Sequence, residues 1–235
     1  MKSCNHCNHE DQYCIDNIPI FRDLLMEEKI VIMDSSNHRK FKKGDIIFTP
    51  GDSFDDLFVV NKGMVKISKV SSLGKEQILR ILRPGDFMGE LSLFSKSILN
   101  NTAEALEQTE ICIIQGDKIR ELLIQNPEMA IKFLQKYTER IEETEGLIEQ
   151  IGLRDVEQRI ANYLLIEIEN NKIVNNKGKY EINLPVSKGD LAALIGTTQE
   201  TLSRKLSLFQ DRGWINLKGQ RIIEVIDIDS LEDIR

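Results

Sequence analysis

Glycines recur through the first half of the chain at a spacing that suits short β-strands. They lie seven to twelve residues apart, at Gly44, Gly51, Gly63, Gly74 and Gly85. The runs between and after them are short and rich in β-branched and aromatic residues: 46–49, 57–60, 64–69, 77–82 and a last pair within 104–114. Because turns at such intervals are typical of small antiparallel barrels and rolls, the sequence predicts a β-roll.

A long stretch after Asn126-Pro127 has the pattern of a single helix. Residues 128–153 contain no proline, and one set of positions recurs by three and four residues alternately. These positions are Leu134, Tyr137, Ile141, Thr144, Ile148 and Ile151. Glutamates crowd both flanks, so a narrow strip is all that can be buried. This narrowness favours a parallel two-stranded coiled coil, and we expect a homodimer joined along this helix.

Residues 190–212 have the pattern of two helices joined by a tight turn at Gly196. Thr197 and Glu200 fit a T-x-x-E capping box, which predicts that the second helix begins there. The apolar residues of the second helix are Leu202, Leu206 and Phe209, and its outward residues are Gln199, Glu200, Ser203, Arg204 and Ser207. Arginine and glutamate side chains can bond to guanine and cytosine edges, so a helix-turn-helix entering the major groove is indicated.

A short hairpin pattern follows, with apolar runs 214–217 and 221–225 around Lys218-Gly219-Gln220. A helix-turn-helix followed by a hairpin is a winged helix. Basic residues outnumber acidic ones between Lys188 and Arg221, although the chain has a formal net charge of −7. This local excess predicts binding of double-stranded DNA. The predicted DNA-contacting residues are Lys188, Thr198, Gln199, Glu200, Ser203, Arg204 and Arg212.

The composition is that of an ordinary globular protein, with 41% hydrophobic and 29% charged residues. No apolar run approaches the roughly 18 residues that cross a bilayer, so we expect a cytoplasmic protein with no membrane partner. The sequence contains neither a glycine-rich phosphate loop nor a nucleophile–base pair, and we expect no enzymatic activity. Changes of pattern predict a cysteine-rich arm (1–18), a β-roll (19–126), a dimerisation helix (127–153) and a winged helix (154–235).

Three of the four cysteines lie in the polar N-terminal arm, with spacing C-x2-C-x6-C at Cys4, Cys7 and Cys14. The fourth, Cys112, lies in a predicted strand. In a reducing compartment such cysteines indicate metal or redox chemistry before structural disulfides. An arm with few apolar residues makes no core by itself, and a metal centre would order it. Interleaved His6 and His9 leave zinc as an alternative.

A roll, a long helix and a winged helix in this order resemble the CRP/FNR family of transcription regulators over essentially the whole chain. The motifs that carry the resemblance are PGDFMGELSLF (84–94) and QETLSRKLSLFQ (199–210). The E-x-x-S-R of residues 200–204 and the cysteine set resemble the oxygen-responsive FNR branch most. The resemblance implies an α+β fold: a cyclic-nucleotide-binding-like β-roll, a long dimerisation helix and a C-terminal winged helix-turn-helix domain.

The same resemblance implies how such a protein works. A [4Fe–4S] cluster held by Cys4, Cys7, Cys14 and Cys112 would sense oxygen. The homodimer would bind a palindromic operator of TTGAT-like half-sites, with RNA polymerase as a further partner. Two positions depart from FNR: Thr144 replaces an acidic residue of the dimer seam, and Gln199 replaces a residue that helps to define the half-site.

Besides zinc, two rival sensors remain. In one, an arm cysteine forms a reversible disulfide with Cys112, as in FNR-like proteins of Gram-positive bacteria, and no cofactor is needed. In the other, a cyclic nucleotide binds as in CRP, whose sugar-binding Gly-Glu-Leu is present at residues 89–91. The segment Asn100-Asn101-Thr102 lacks the arginine that would hold a cyclic phosphate, which argues against this second sensor.

Overall fold

The computed structural model describes residues 18–22, 24–95, 98–171 and 179–235. The chain forms two compact units. One combines the residues up to 69 with 79–141, and the other combines 70–78 with 142–235. Within the described ranges, no helix is both long and apolar enough to cross a lipid bilayer.

In the described residues, the N-terminal part of the chain forms a β-roll with four α-helices. A 3₁₀ turn at Pro19–Phe21 precedes α1 (Met26–Asp34). The strands are β1 (Ser36–Phe41), β2 (Ile46–Phe48), β3 (Asp56–Lys62), β4 (Val65–Val70), β5 (Glu76–Leu82), β6 (Phe87–Met88), β7 (Thr102–Ala105) and β8 (Thr109–Gln115). The remaining helices are α2 (Glu90–Ser95), α3 (Gly116–Gln125) and α4 (Pro127–Leu153). The strands form two sheets, with orders β1-β8-β3-β6 and β2-β7-β4-β5, which confirms the predicted roll.

Strand β8 separates two layers of core because successive side chains of a strand point to opposite faces. Ile111 packs between the two sheets in a cluster that includes Phe48 and Phe58. Cys112 and Ile114 point the other way, into a cluster shared with α1, α3 and α4. The roll is therefore filled inside, and its outer face is covered by helices.

The C-terminal part is a winged helix, as the sequence predicts. Its elements are α5 (Val156–Asn171), β9 (Tyr180–Asn183), α6 (Lys188–Leu194), α7 (Gln199–Asp211), β10 (Ile215–Lys218), β11 (Ile222–Val225) and α8 (Ile228–Asp233). Strands β10 and β11 form the predicted hairpin, and β9 joins them in a sheet of order β10-β11-β9. Leu202, Leu206 and Phe209 of α7 are fully buried.

The predicted capping box at Thr197 and Glu200 is wrong. Thr198 caps α7, and its hydroxyl accepts a hydrogen bond from the Thr201 amide at 3.2 Å. The Thr197 amide instead donates to the Ala192 carbonyl at 2.9 Å and so closes the end of α6. Gly196, at φ +74°, provides the left-handed turn between the helices.

Candidate functional site

Helix α7 presents one face to the core and the other to solvent. Gln199, Glu200, Arg204 and Ser207 are exposed, and Ser203 is half-buried. These are the residues that the sequence predicts to face base edges, and they share the solvent face of one helix. The exposed Thr198 stands at its N-terminus.

Side chains from outside α6 and α7 hold the turn between them. The Arg159 guanidinium donates to the Ile195 carbonyl at 2.6 Å, and Gln77 Nε2 donates to the Ala193 carbonyl at 2.7 Å. A Cβ on Gly196 would lie 3.0 Å from Arg159 Nη1. The last carbonyls of α6 are thus bonded to side chains, which fixes the orientation of α7. The roles of Arg159 and Gln77 in this turn are not predicted from the sequence. The one sequence signal for them is that Arg159 lies next to the buried Ile160 of α5.

Several basic residues of this region are engaged by carboxylates. Glu157 of α5 pairs with Lys205 at 2.5 Å and with Arg212 at 3.1 Å. The hydrogen bond from Lys205, together with that from Arg212, lowers the pKa of Glu157. The Arg212 guanidinium also lies 4.8 Å from the centroid of the Trp214 ring.

The hairpin of β10 and β11, which is the wing of the winged helix, also has a basic side chain bonded to carboxylates. Lys218 bonds to Glu224 at 2.9 Å and to Glu181 at 3.1 Å, and these bonds raise the pKa of its ammonium group. Arg204 of α7 and Arg221 beside the wing are exposed, and Lys188 at the start of α6 is half-buried. The positive charge predicted for the DNA-facing side is thus carried in part by side chains that already hold acidic partners.

The predicted cysteine site is described at one residue, Cys112, since Cys4, Cys7 and Cys14 lie outside the described residues. Cys112 is 1% exposed and faces the helix-covered side of the roll. The same cluster contains Ile18, the last residue of the arm, and Ile20 and Phe21, which follow it directly. The chain leaving the arm therefore packs against the layer into which Cys112 points. In the part of the chain that the structure describes, no group of three or more His, Cys, Asp or Glu side chains could hold a metal.

Glu90 belongs to a buried ionic network in the roll unit. Its Oε1 lies 2.8 Å from Arg140 Nη1 and 3.2 Å from Arg80 Nη2. The Arg140 guanidinium stacks on Phe87, 4.1 Å from the ring centroid, and donates to the Phe87 carbonyl. Burial lowers the pKa of Arg140. The network ties α4 to the roll. No local sequence pattern predicts it, because its members are far apart in the chain.

The predicted dimer seam is a stripe of exposed apolar residues on α4. Leu134 and Ile148 are 67% exposed, Ile141 is 55% exposed and Ile151 is 44% exposed. Tyr137 is half-buried and Thr144 is exposed. A single copy of the chain thus leaves an apolar strip on α4 in water, as the seam prediction requires.

Comparison with known proteins identifies the family. The Crp-like helix-turn-helix domain matches residues 158–234, and the cyclic nucleotide-binding domain matches residues 38–126. The global nitrogen regulator of Synechococcus elongatus is 31% identical over 185 residues, which cover 78% of this chain and 83% of that protein. The chain belongs to the CRP/FNR family. Members of this family are DNA-binding transcription regulators and not enzymes, as the sequence predicts.

Two further known proteins are similar to this CRP/FNR chain, one in sequence and one in fold. The anaerobic regulatory protein of Bacillus subtilis is 26% identical over 201 residues, covering 85% of this chain and 84% of that protein. The CooA mutant structure from Carboxydothermus hydrogenoformans has a TM-score of 0.79 at 18% identity and covers 95% of each chain. This second likeness concerns the fold alone.

Proposed function

We propose that the chain is an FNR-type regulator that senses oxygen through a [4Fe–4S] cluster held by Cys4, Cys7, Cys14 and Cys112. The observation that carries the proposal is the location of Cys112. Its side chain points into the layer where the residues next to the arm are packed. A regulator of this type binds a palindromic operator of TTGAT-like half-sites as a homodimer and acts on RNA polymerase in the cytoplasm.

The donor set fits such a cluster. A [4Fe–4S] cluster takes four thiolates, and the chain has four cysteines. Cys14 precedes the buried Ile18 by four residues. Even a fully extended chain of this length would place the two Cα atoms no more than about 14 Å apart. When bound, the cluster supplies an oxygen-sensitive redox centre. Cys112 would hold it to the roll, and the arm cysteines would tie the N-terminus to the same place.

A cyclic nucleotide is the weaker ligand candidate. The carboxylate of Glu90, which the CRP resemblance assigns to the sugar, is paired with both Arg80 and Arg140. The space between the sheets is packed with apolar side chains, among them Phe48, Phe58 and Met88. These contacts support a structural role for Glu90.

The exposed stripe of α4 supports the homodimer. Burying apolar surface in a second copy would stabilise the association by about 25 cal/mol for each Å² removed from water. A two-fold dimer would present two copies of α7, which matches the two half-sites of a palindrome. The name of the Bacillus subtilis relative, an anaerobic regulatory protein, supports oxygen as the signal.

Anaerobic purification of the untagged protein tests the cluster. Iron and acid-labile sulfide at about four each per chain, with visible absorbance that bleaches in air, are expected. A colourless protein without iron, even after reconstitution, would contradict the cluster. A thiol count in air would then test the rival disulfide between an arm cysteine and Cys112, which would remove two thiols per chain.

A further inference from the structure

An apolar pocket lies beside the N-terminal half of α4. Its volume is about 470 Å³, and α2, α3 and α4 line it with Leu91, Phe94, Leu123, Phe133, Leu134 and Tyr137. The Phe94 ring meets the Phe133 and Tyr137 rings edge to face, with centroids 6.1 and 6.4 Å apart. Glu90 also borders the pocket, but its carboxylate is paired with Arg80 and Arg140. Such walls suit an aliphatic side chain rather than a polar ligand.

The pocket is continuous with the predicted dimer seam, because Leu134 and Tyr137 belong to both. Phe94 is 56% exposed and Leu91 is 47% exposed, so these apolar side chains are left in contact with water. The residues of α2 thus extend the exposed strip sideways from α4 onto the roll. An occupant that covers the seam would cover the pocket as well.

The heptad positions of α4 indicate which part of a second copy reaches this side. With Leu134 at position a and Tyr137 at position d, the buried Phe133 and Arg140 occupy g, against the roll. Ile131 occupies e, on the opposite flank of the seam. In a parallel two-stranded coiled coil, the e flank of one helix meets the g flank of the other. The e flank of a partner would therefore face the pocket.

We propose that Ile131 of the partner subunit fills this pocket, and that the two-fold symmetry of the dimer fills the second pocket in the same way. Position e in coiled coils is commonly charged, but here it is occupied by the apolar Ile131, which is 54% exposed. An isoleucine there is accounted for by an apolar receptor on the partner. The proposal rests on the homodimer of the preceding section and adds α2 of the roll to its interface.

Mixed cysteine cross-linking tests the contact. One chain carries Ile131→Cys, the other carries Phe94→Cys, and their subunits are exchanged before mild oxidation. A disulfide-linked dimer is expected in the mixture and not in either variant alone, because the two positions meet across the interface. The matched control replaces Ile131→Cys by Ile124→Cys, which lies on α3 and is 82% exposed. Wild-type protein oxidised in parallel gives the background of the native cysteines. Cross-linking no greater than the control would overturn the proposal.

Dimer dissociation constants measured by sedimentation provide a second test. Ile131→Ala and Phe94→Ala are each expected to weaken dimerisation on the order of 10-fold, and the double variant by less than the product of the two. Purely multiplicative effects, or no effect in a dimeric wild type, would overturn the contact and leave the homodimer standing. A wild type that sediments as a monomer at every concentration would overturn both proposals.

Discussion

Arg204 is the residue that we expect to contribute most to sequence recognition. It is exposed on the solvent face of α7, and arginine bonds bidentately to guanine. Arg204→Ala is expected to cost about 1–3 kcal/mol per half-site, measured by fluorescence anisotropy with a palindromic TTGAT-type duplex. Arg39→Ala, an exposed arginine of β1, is the matched control. Equal affinity of Arg204→Ala and wild type would exclude the proposed guanine contact.

Glu157 makes the stability of the winged helix depend on pH. Its pKa is lowered from 4.5 in the folded protein by Lys205 and Arg212. A carboxyl with a lowered folded pKa adds stability above its unfolded pKa and loses it as the pH falls through the folded value. Glu157→Gln should therefore lower the melting temperature at neutral pH, with a difference from wild type that narrows below about pH 4.

Thermal melts across that range check this, with the exposed Glu232→Gln of α8 as control. If the melting temperatures of Glu157→Gln and wild type differed by the same amount at all pH values, the ion pairs with Lys205 and Arg212 would not be the cause of the pH dependence of stability.

The exposed stripe of α4 is a property of an element, and it is tested at that scale. Ile148→Asp places a charge within the predicted seam and is expected to give monomers by light scattering, since an unpaired carboxylate is costly in an apolar interface. Ile124→Asp introduces the same charge at an exposed isoleucine of α3 and should leave the dimer intact. A dimeric Ile148→Asp protein would reject the coiled coil.

The elements that the sequence predicts well are those with a long or repeated pattern. Helix α4 begins within one residue of its predicted start because its periodicity extends over many positions. Strands β2, β3, β4, β5, β7 and β8 lie within two residues of the predicted runs, whereas the two-residue β6 is too short to be predicted. Strand β1 was missed because SNHRKF forms the edge of its sheet and has little buried surface. Helix α2 has six residues, too few to establish a period.

The candidate site also has a part that the sequence predicts and a part that it does not. The outward residues of α7 follow from helical spacing: Gln199, Glu200, Arg204 and Ser207 are exposed as predicted, and Ser203 is half-buried. The pairing of Glu157 with Lys205 and Arg212, and the bonds from Arg159 and Gln77 to the turn, join residues that are distant in sequence. No local pattern marks such contacts, so they become visible when the fold brings the residues together.

Cys112 connects the sensor proposal to the molecule as a whole. Its side chain is buried among apolar residues, where alanine is a tolerable replacement, so Cys112→Ala is expected to fold. The variant should nevertheless lose the bound iron and the visible absorbance after anaerobic purification. Circular dichroism provides the control for folding. A folded Cys112→Ala protein with a full iron complement would remove Cys112 from the ligand set.

The carboxylates that hold Lys205, Arg212 and Lys218 also determine what DNA displaces when it binds. When a lysine without an acidic partner neutralises a DNA phosphate, the cations condensed around that phosphate are released into solution, and this release makes affinity fall steeply with salt. Here Glu157, Glu181 and Glu224 act as counterions that belong to the protein itself. Exchanging such a carboxylate for a phosphate frees fewer ions, so operator affinity will fall less steeply with ionic strength than the number of basic side chains near the DNA suggests.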